Sequence, residues 1–175
     1  MPNPVSLFLD RDDTIIADDA YMSRPSQIRL LPGAGEALRK AAVAGCGLYL
    51  VTNQSGIGRG FYTMCDAEAC NARLIELLGI RFAGICIAPE APGTPSKYRK
   101  PSPAFILETI ARDRLDPARC YMVGDKVSDL ECGINAGITP ILVGSRADAA
   151  LFAAQHNIGH CADLAEAVEF VLTVK

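Results

Sequence analysis

The chain has 175 residues, of which 50% are hydrophobic and 21% are charged, and its formal net charge is -3. This balance excludes a highly charged disordered chain and indicates one compact soluble domain. The sequence contains no uninterrupted apolar run of about 20 residues, which a membrane span requires. Mild acidity argues against a broad basic face for nucleic acid, although a local basic cluster can still bind phosphate. We therefore expect no nucleic-acid partner and no membrane partner.

Seven cysteines occur without any Cys-x-x-Cys pair. They are Cys46, Cys65, Cys70, Cys86, Cys120, Cys132 and Cys161. Most lie in apolar or helix-like runs, which favours buried free thiols over disulfides or a metal site. Residues 1–5 lack the basic stretch and apolar core of a secretory signal. The expected location is the reducing cytoplasm.

Short apolar or β-branched runs alternate with longer amphipathic segments, which is typical of βα units around a mostly parallel sheet. The predicted strands are residues 5–9, 48–51, 81–88, 120–123 and 139–143. The predicted helices are residues 34–44, 64–78, 103–113, 128–136, 149–155 and 164–172. Ser128 and Glu131 resemble a capping box, and Gly45 and Gly137 suit helix C-termini. No repeat or linker divides the chain, so we predict a single α/β domain over residues 1–175 with helices on both faces of the sheet.

Acidic residues follow two of the predicted strands, at the end where ligands bind in a doubly wound sheet. Asp10 and Asp12 follow the first strand and Asp125 follows the fourth. If the backbone stays extended after the first strand, Asp10 and Asp12 point the same way and repel each other. A hard divalent cation such as Mg²⁺ relieves this repulsion. An isolated Asp-x-Asp is more often a solvated turn, but the further carboxylate at Asp125 favours a metal site.

Polar and basic residues that suit phosphate lie near the same predicted edge. Residues 52–60 offer hydroxyl groups, side-chain amides and glycine-rich backbone N–H groups, all of which bind phosphate oxygens. Arg99 and Lys100 precede the helix between the third and fourth strands and add positive charge, although alone they equally fit a solvated loop. The glycine motifs of Walker and dinucleotide-binding loops are absent.

These segments resemble, in order along the chain, the four motifs of the haloacid dehalogenase (HAD) superfamily of phosphohydrolases. The first motif matches residues 8–14, the second Thr52, the third Lys100, and the fourth Asp125 with Asp129. Within that superfamily the segments look most like the heptose-bisphosphate 7-phosphatases and their sister histidinol-phosphate phosphatases. The resemblance implies a Rossmann-like HAD core, and the spacing between motifs leaves room for a flap but not for a separate cap domain.

The resemblance also implies a chemistry and its residues. Asp10 would be the nucleophile that forms an aspartyl-phosphate, and Asp12 the acid and base. Thr52 and Lys100 would hold the phosphoryl oxygens, and Mg²⁺ would be bound by Asp10, Asp125 and the backbone carbonyl of Asp12. The implied substrate-binding residues are Asp18, Tyr21, Asn53, Gln54, Ser55, Arg99 and Lys126. The expected substrate is a small phosphorylated metabolite, foremost heptose 1,7-bisphosphate at carbon 7, with histidinol phosphate or another small sugar phosphate as the alternative.

The sequence departs from the family pattern in two places. Asp13 stands where the family usually has glycine, and aspartate is among the residues that best tolerate a positive φ there. The family's zinc-binding loop has Cys-x-His and Cys-x-Cys, whereas the matching positions here are Ala88, Glu90, Ser96 and Tyr98. None of these is a thiolate or imidazole, so we expect no structural zinc. Prolines are expected to stiffen the loop at residues 89–101 instead.

Three other functions fit part of the sequence less well than a metabolite phosphatase does. A phospho-accepting receiver domain would carry its aspartate after the third strand, where this chain has Ala88-Pro-Glu90. A phosphatase of nucleic-acid 3′ ends shares the motifs, but the chain lacks a basic and aromatic track. A phosphate-binding module without catalysis fits Asp13 and the missing zinc ligands, but the four catalytic positions are intact. We therefore predict a Mg²⁺-dependent phosphomonoesterase that acts as a monomer.

Overall fold

The computed structural model describes residues 4–173, so the first three residues of the segment considered above for targeting lie outside the described part. Its centre is a six-stranded parallel sheet with the strand order β3-β2-β1-β4-β5-β6. The strands are β1 Ser6–Leu9, β2 Gly47–Asn53, β3 Gly84–Ala88, β4 Cys120–Gly124, β5 Thr139–Val143 and β6 Gly159–Cys161. The predicted α/β class with a parallel sheet is confirmed.

The helices that connect the strands lie close to their predicted positions. They are α1 Ala34–Val43, α2 Ser55–Gly58, α3 Met64–Leu78, α4 Ala104–Asp113, α5 Val127–Asn135, α6 Ala147–Gln155 and α7 Leu164–Thr173. Short 3₁₀ turns occur at Pro25–Gln27 and Pro117–Arg119. Gly45 and Gly137 adopt φ values of 83° and 69° just after α1 and α5, as expected for glycines that end helices.

Three local predictions were wrong. The third strand begins at Gly84 rather than at residue 81, because its pairing with β2 starts there, opposite Tyr49. The N-terminus of α5 is capped by Asp129, whose Oδ2 accepts the N–H of Lys126 at 3.0 Å, and not by a capping box of Ser128 and Glu131. Its helix already begins at Val127, so the N–H that needs an acceptor belongs to Lys126. The sequence analysis also missed α2 and β6, which are too short to show a period.

Alternate residues of the central strand pack into two hydrophobic layers, one on each face of the sheet. Leu7 and Leu9 face the layer that contains buried residues of α1, α3 and α7. Phe8 faces the opposite layer, where it stacks on Tyr49 with 4.8 Å between ring centroids and lies with residues of α4 and α5. Helices therefore cover both faces. The carboxyl ends of β2, β1 and β4 lie side by side at one edge of the sheet.

Two further expectations bear on the surroundings of the fold. All seven cysteines are free, and five of them are buried: Cys70, Cys86, Cys120, Cys132 and Cys161. Cys46 is half-buried and Cys65 is exposed, so the expectation of buried thiols holds for most but not all. Among the described residues, none of the helices combines the length and apolar character needed to cross a bilayer.

Candidate active site

Three neighbouring strands bring the predicted catalytic residues together. β1 lies between β2 and β4 in the sheet. Asp10 directly follows β1, and its N–H donates to the Val123 carbonyl of β4 at 2.9 Å, which holds the aspartate at the strand end. Thr52 lies near the end of β2 and Asp125 directly follows β4. All three are at most 3% exposed. Burial of polar side chains costs free energy unless they find polar partners or a bound ion, so this strand edge is a candidate functional site.

Lys100 bridges two carboxylates in this buried site. Its Nζ lies 2.7 Å from Asp10 Oδ1 and 2.6 Å from Asp129 Oδ1. Asn53 fixes the lysine through a reciprocal pair of bonds, because its Oδ1 accepts the Lys100 N–H at 3.0 Å and its Nδ2 donates to the Lys100 carbonyl at 3.1 Å. The side chain at the end of β2 therefore sets the position of the third motif.

The charges around Asp10 favour its ionised form. Burial by itself opposes ionisation, but the ammonium groups of Lys100 and Lys126 outweigh it and lower the pKa of Asp10. Burial also opposes the charge on Lys100, yet Asp10 and Asp129 together raise the pKa of that lysine. Asp10 is therefore an anionic, buried carboxylate beside a fixed cation.

Asp129 has two structural roles that follow from its place in α5. Its Oδ1 pairs with Lys100, while its Oδ2 accepts the N–H of Lys126 at 3.0 Å and so caps the helix. Burial raises the pKa of Asp129, which opposes its ionisation, while Lys100 favours the charged form. Gly124 leaves room for it, because a Cβ at that glycine would lie only 2.4 Å from Asp129 Cγ. In the fourth motif, Gly124 is thus required to make space for Asp129, while Asp125 supplies a carboxylate to the site.

The acidic side chains fit a divalent cation. Ligand oxygens of Asp10, Asp125 and Asp129 lie within 4.8 Å of one another. Neither carboxylate oxygen of Asp125 has a hydrogen-bond partner, although the residue is buried, and Lys126 Nζ and Arg146 Nε are both 3.8 Å away. Burial raises the pKa of Asp125 to about 7. An unpartnered buried carboxylate of this kind is what a hard cation stabilises.

The carboxylate of Asp12 is not part of this acidic cluster. It is held instead by Arg11 Nε at 2.9 Å and by Gln54 Nε2 at 2.8 Å. The carboxylate of Asp12 is therefore occupied by protein partners, and the backbone carbonyl is the group of Asp12 that the predicted metal site would use. The side chain lines a small cavity of about 30 Å³ that it shares with Asp10 and Lys100, and also a larger cavity beside it.

The larger cavity has a volume of about 370 Å³ and lies at the mouth of the site. All seven residues expected to contact substrate line it: Asp18, Tyr21, Asn53, Gln54, Ser55, Arg99 and Lys126. Tyr21 is exposed at its rim and packs edge-on against Phe61, with 4.7 Å between ring centroids. Burial raises the pKa of Asp18, and the charges of Asp12 and Asp13 add to this effect. The cationic residues of the lining are Arg11, Arg99 and Lys126.

Hydrogen bonds hold the loop at residues 89–101, for which the sequence analysis predicts no structural zinc. Ser96 Oγ donates to Glu90 Oε2 at 2.7 Å and accepts the N–H of Arg99 at 3.0 Å. Arg99 Nη1 donates to the Glu90 carbonyl at 2.9 Å, and Tyr98 OH donates to Glu108 at 3.0 Å. Carboxylate, hydroxyl and phenol groups that are bonded to protein partners do not form a structural zinc site. Hydrogen bonds thus close this loop, and two of them also orient Arg99.

The sequence analysis assigned no role to three residues next to the site, namely Arg11, Tyr62 and Asn71. Arg11 and Tyr62 line the larger cavity, and Asn71 bonds to Arg11 at 3.0 Å from helix α3. The position of Arg11 between the two aspartates predicted to be catalytic was a usable signal. Nothing local in the sequence marks Tyr62 or Asn71, since Asn71 reaches Arg11 from α3 and Tyr62 reaches Gln54 from the segment just before that helix.

Comparisons with known proteins agree with this geometry. Residues 97–167 match a family model described as HAD-hydrolase-like. D-glycero-beta-D-manno-heptose-1,7-bisphosphate 7-phosphatase from Helicobacter pylori strain J99 is 37% identical over 137 residues, which cover 76% of this chain and 79% of the relative. D-glycero-D-manno-heptose-1,7-bisphosphate 7-phosphatase from Chlorobaculum tepidum is 38% identical over 175 residues, which cover 90% of this chain and 88% of the relative.

A solved structure extends the likeness to the whole fold. D,D-heptose 1,7-bisphosphate phosphatase from B. bronchiseptica, crystallised with magnesium and phosphate, superposes with a TM-score of 0.88 at 29% identity. The match covers 98% of this chain and 99% of that chain. The chain therefore belongs to the family of HAD-superfamily phosphatases that these heptose-bisphosphate relatives represent, and it is a phosphoric monoester hydrolase.

Proposed function

We propose that the enzyme removes the 7-phosphate of D-glycero-D-manno-heptose 1,7-bisphosphate in a Mg²⁺-dependent reaction that passes through an aspartyl-phosphate. The observation that carries the reaction type is the ionised, buried Asp10, with Lys100 Nζ at 2.7 Å and the unpartnered carboxylate of Asp125 beside it. The names of the relatives from H. pylori and C. tepidum support the choice of substrate.

In the first half-reaction, a carboxylate oxygen of Asp10 attacks the phosphorus of the bound ester. A new oxygen–phosphorus bond forms as the bond from phosphorus to the sugar oxygen breaks, and Asp12 gives a proton to the leaving sugar oxygen. The Lys100 ammonium, the Thr52 hydroxyl and the backbone N–H of Asn53 stabilise the charge on the transferring phosphoryl oxygens. Mg²⁺ held by the carboxylates of Asp10 and Asp125 and the carbonyl of Asp12 would supply further neutralisation of that charge.

In the second half-reaction, water attacks the phosphorus of the aspartyl-phosphate. Asp12, now without its proton, takes one from the attacking water, so the same carboxylate serves as acid and then as base. Inorganic phosphate leaves and the Asp10 carboxylate is restored. Each turnover therefore consumes one water and returns Asp12 to its protonated form.

The cavity chemistry supports a small substrate with more than one anionic group. Arg99 and Lys126 both line the 370 Å³ cavity, while Lys100 is committed to the buried carboxylates. A second phosphate placed in the cavity would meet the guanidinium fork of Arg99, which suits phosphate oxygens. Histidinol phosphate has one phosphate and a cationic amine, so it gains less from this arginine.

Parallel assays of phosphate release test this function. The substrates are heptose 1,7-bisphosphate and histidinol phosphate, each with and without Mg²⁺, and the blank is Asp10→Asn, which keeps the shape but removes the nucleophile. We expect Mg²⁺-dependent release with a strong preference for the bisphosphate and none from the variant. Preference for histidinol phosphate would overturn the substrate. No release from either substrate by folded protein would favour a phosphate-binding module.

A further inference from the structure

Arg11 is a buried cation whose donors reach Asp12. Its side chain is 1% exposed, although it stands between Asp10 and Asp12 in the sequence. Nε lies 2.9 Å from Asp12 Oδ1 and Nη2 lies 3.3 Å from Asp12 Oδ2, so the guanidinium approaches both carboxylate oxygens as a fork. Nη1 donates to Asn71 Oδ1 at 3.0 Å, which anchors the other end of the guanidinium to helix α3.

Gln54 holds the same carboxylate from the β2 side. Its Nε2 donates to Asp12 Oδ2 and to Thr52 Oγ1, both at 2.8 Å. The Tyr62 hydroxyl donates to Gln54 Oε1 at 2.7 Å, which leaves the amide nitrogen to face Asp12 and Thr52. Tyr62 in turn packs against Gly56, where a Cβ would lie 2.1 Å from its ring. The orientation of the amide therefore depends on an aromatic ring in a close-fitting position.

These contacts treat the two oxygens of Asp12 differently. Oδ2 accepts from Arg11 and from Gln54, which uses both of its lone-pair positions. Oδ1 accepts from Arg11 alone and keeps one position free. The side chain lines both the small cavity beside Asp10 and the larger cavity. The oxygen that remains available is thus defined by its protein partners.

We infer that Arg11 and Gln54 are positioning residues that present Oδ1 of Asp12 to the ester oxygen and fix it as the oxygen that exchanges the proton. The inference rests on the proposed acid and base role of Asp12. Because Arg11 contacts both oxygens of Asp12, it resists rotation of the carboxyl group, whereas a single hydrogen bond would allow that rotation. A buried ion pair often stabilises a protein no more than apolar side chains of similar size do. The orientation that Arg11 gives to Asp12 therefore explains its burial better than a gain in stability does.

Dependence on the leaving group separates orientation of Asp12 from general structural support. A sugar oxygen needs a proton to leave, whereas p-nitrophenolate leaves without one. We expect Arg11→Met to lower kcat/KM for heptose 1,7-bisphosphate about 100-fold, as misplacement of a reacting group does, and to lower kcat/KM for p-nitrophenyl phosphate by no more than about threefold. Arg11→Lys keeps the charge without the fork and should show the same selectivity with a smaller loss.

Tyr62→Phe tests the network without removing a buried charge. It takes away only the hydroxyl that orients Gln54, and we expect a selective loss for the sugar ester of about threefold to tenfold, the value of one hydrogen bond. Tyr49→Phe is the matched control, because it also removes a buried tyrosine hydroxyl, which donates to Asp113 at 2.9 Å on the opposite face of the sheet. The control should leave the ratio of the two kcat/KM values unchanged.

Asp12→Asn distinguishes failure of the inference from failure of the proposed function. If Asp12→Asn is selective for the leaving group while Arg11→Met and Tyr62→Phe affect both esters equally, the positioning role is wrong and the acid role stands. If Asp12→Asn itself lowers both values equally, the proposed acid role is wrong. Thermal unfolding of each variant shows that it is folded, and Tyr62→Phe carries the test if Arg11→Met does not fold.

Discussion

Asp13, three residues after Asp10, stands where the family resemblance predicts glycine. Its φ of 58° lies in the left-handed region, so the conformation usually supplied by glycine is kept. The aspartate also does what glycine cannot, since its Oδ1 accepts the N–H of Asp18 at 3.1 Å. Asp18 and Tyr21 line the larger cavity, and we call the exposed segment 18–21 that they bound the flap. Asp13 therefore ties the flap to the end of β1.

Replacing Asp13 separates its backbone role from its side-chain role. In Asp13→Gly the positive φ is relaxed but the bond to the flap is lost, so we expect KM for the bisphosphate to rise about threefold with little change in kcat. Asp13→Asn retains a carbonyl oxygen at the same place and should keep the original KM. Steady-state kinetics of the two variants check this. An equal rise of KM in both would mean that the charge, not the hydrogen bond, matters.

The loop between β3 and α4 shows how an element can keep its shape with different chemistry. The bonds of Ser96 to Glu90 and Arg99 close the loop at two of the positions where the family resemblance predicts zinc ligands, namely Ser96 and Glu90. Gly58 lets α2 pack close to the same loop, because its N–H donates to the Pro89 carbonyl at 2.8 Å and a Cβ there would lie 2.7 Å from the Ala91 nitrogen. Arg99 is held in this loop at its N–H by Ser96 Oγ and at its guanidinium by the Glu90 carbonyl.

Ser96→Ala tests this closure of the loop. The substitution removes both serine bonds and frees Arg99, so we expect KM for the bisphosphate to rise about threefold to tenfold while kcat is kept. Ser102→Ala is the matched control, because that serine donates to the Lys97 carbonyl in the same segment but makes no side-chain bond to Arg99. Kinetics with metal analysis of the purified enzyme provide the measurement. Stoichiometric zinc in active protein would contradict the hydrogen-bonded closure.

At the scale of the whole molecule, the sheet brings several carboxyl groups together in a buried site, and their burial and mutual repulsion lower the stability of the folded protein. Asp10, Asp125 and Asp129 lie within one cluster, and Lys100 pairs with two of them but not with Asp125. Burial is the main reason why the pKa of Asp125 rises to about 7. The free energy of unfolding of the metal-free protein is therefore coupled to the protonation of this carboxyl group.

The sign of that coupling gives a prediction for pH and Mg²⁺. The folded state holds the Asp125 proton up to a pH near 7, whereas the unfolded chain loses it near pH 4. Its stabilising contribution is complete below the lower value and is lost as the pH rises through the upper one. Without metal, we therefore expect the wild type to lose stability relative to Asp125→Asn between pH 5 and pH 8.

Urea unfolding of both proteins with a chelator, at the two pH values, measures this difference. Addition of Mg²⁺ at pH 8 should stabilise the wild type and not Asp125→Asn, because binding to the folded state alone raises the free energy of unfolding. A constant difference between the two proteins across this pH range would show that Asp125 does not hold a proton in the folded state.

Much of the fold and of the reaction type could be predicted before any coordinates were considered. Period and composition marked five strands of the six-stranded sheet and the six longer helices, because each of these elements buries a face long enough to show a repeat. The acidic residues after β1 and β4 are local features, and parallel strands bring their carboxyl ends to one edge. The order of the HAD motifs then indicated a phosphatase.

Other features were decided by the tertiary structure alone. The carboxylate of Asp12 faces Arg11 and Gln54 instead of joining the acidic cluster, and Asn71 anchors Arg11 across 60 residues of sequence. Asp129 and Asp10 both pair with Lys100, which is likewise distant from them in the sequence. The sequence by itself determined which groups follow each strand, because periodicity and motif order are local properties. Only the packing of α3, α5 and the loop against the sheet decided which oxygen meets which donor, since a hydrogen bond depends on distance and direction within fractions of an ångström.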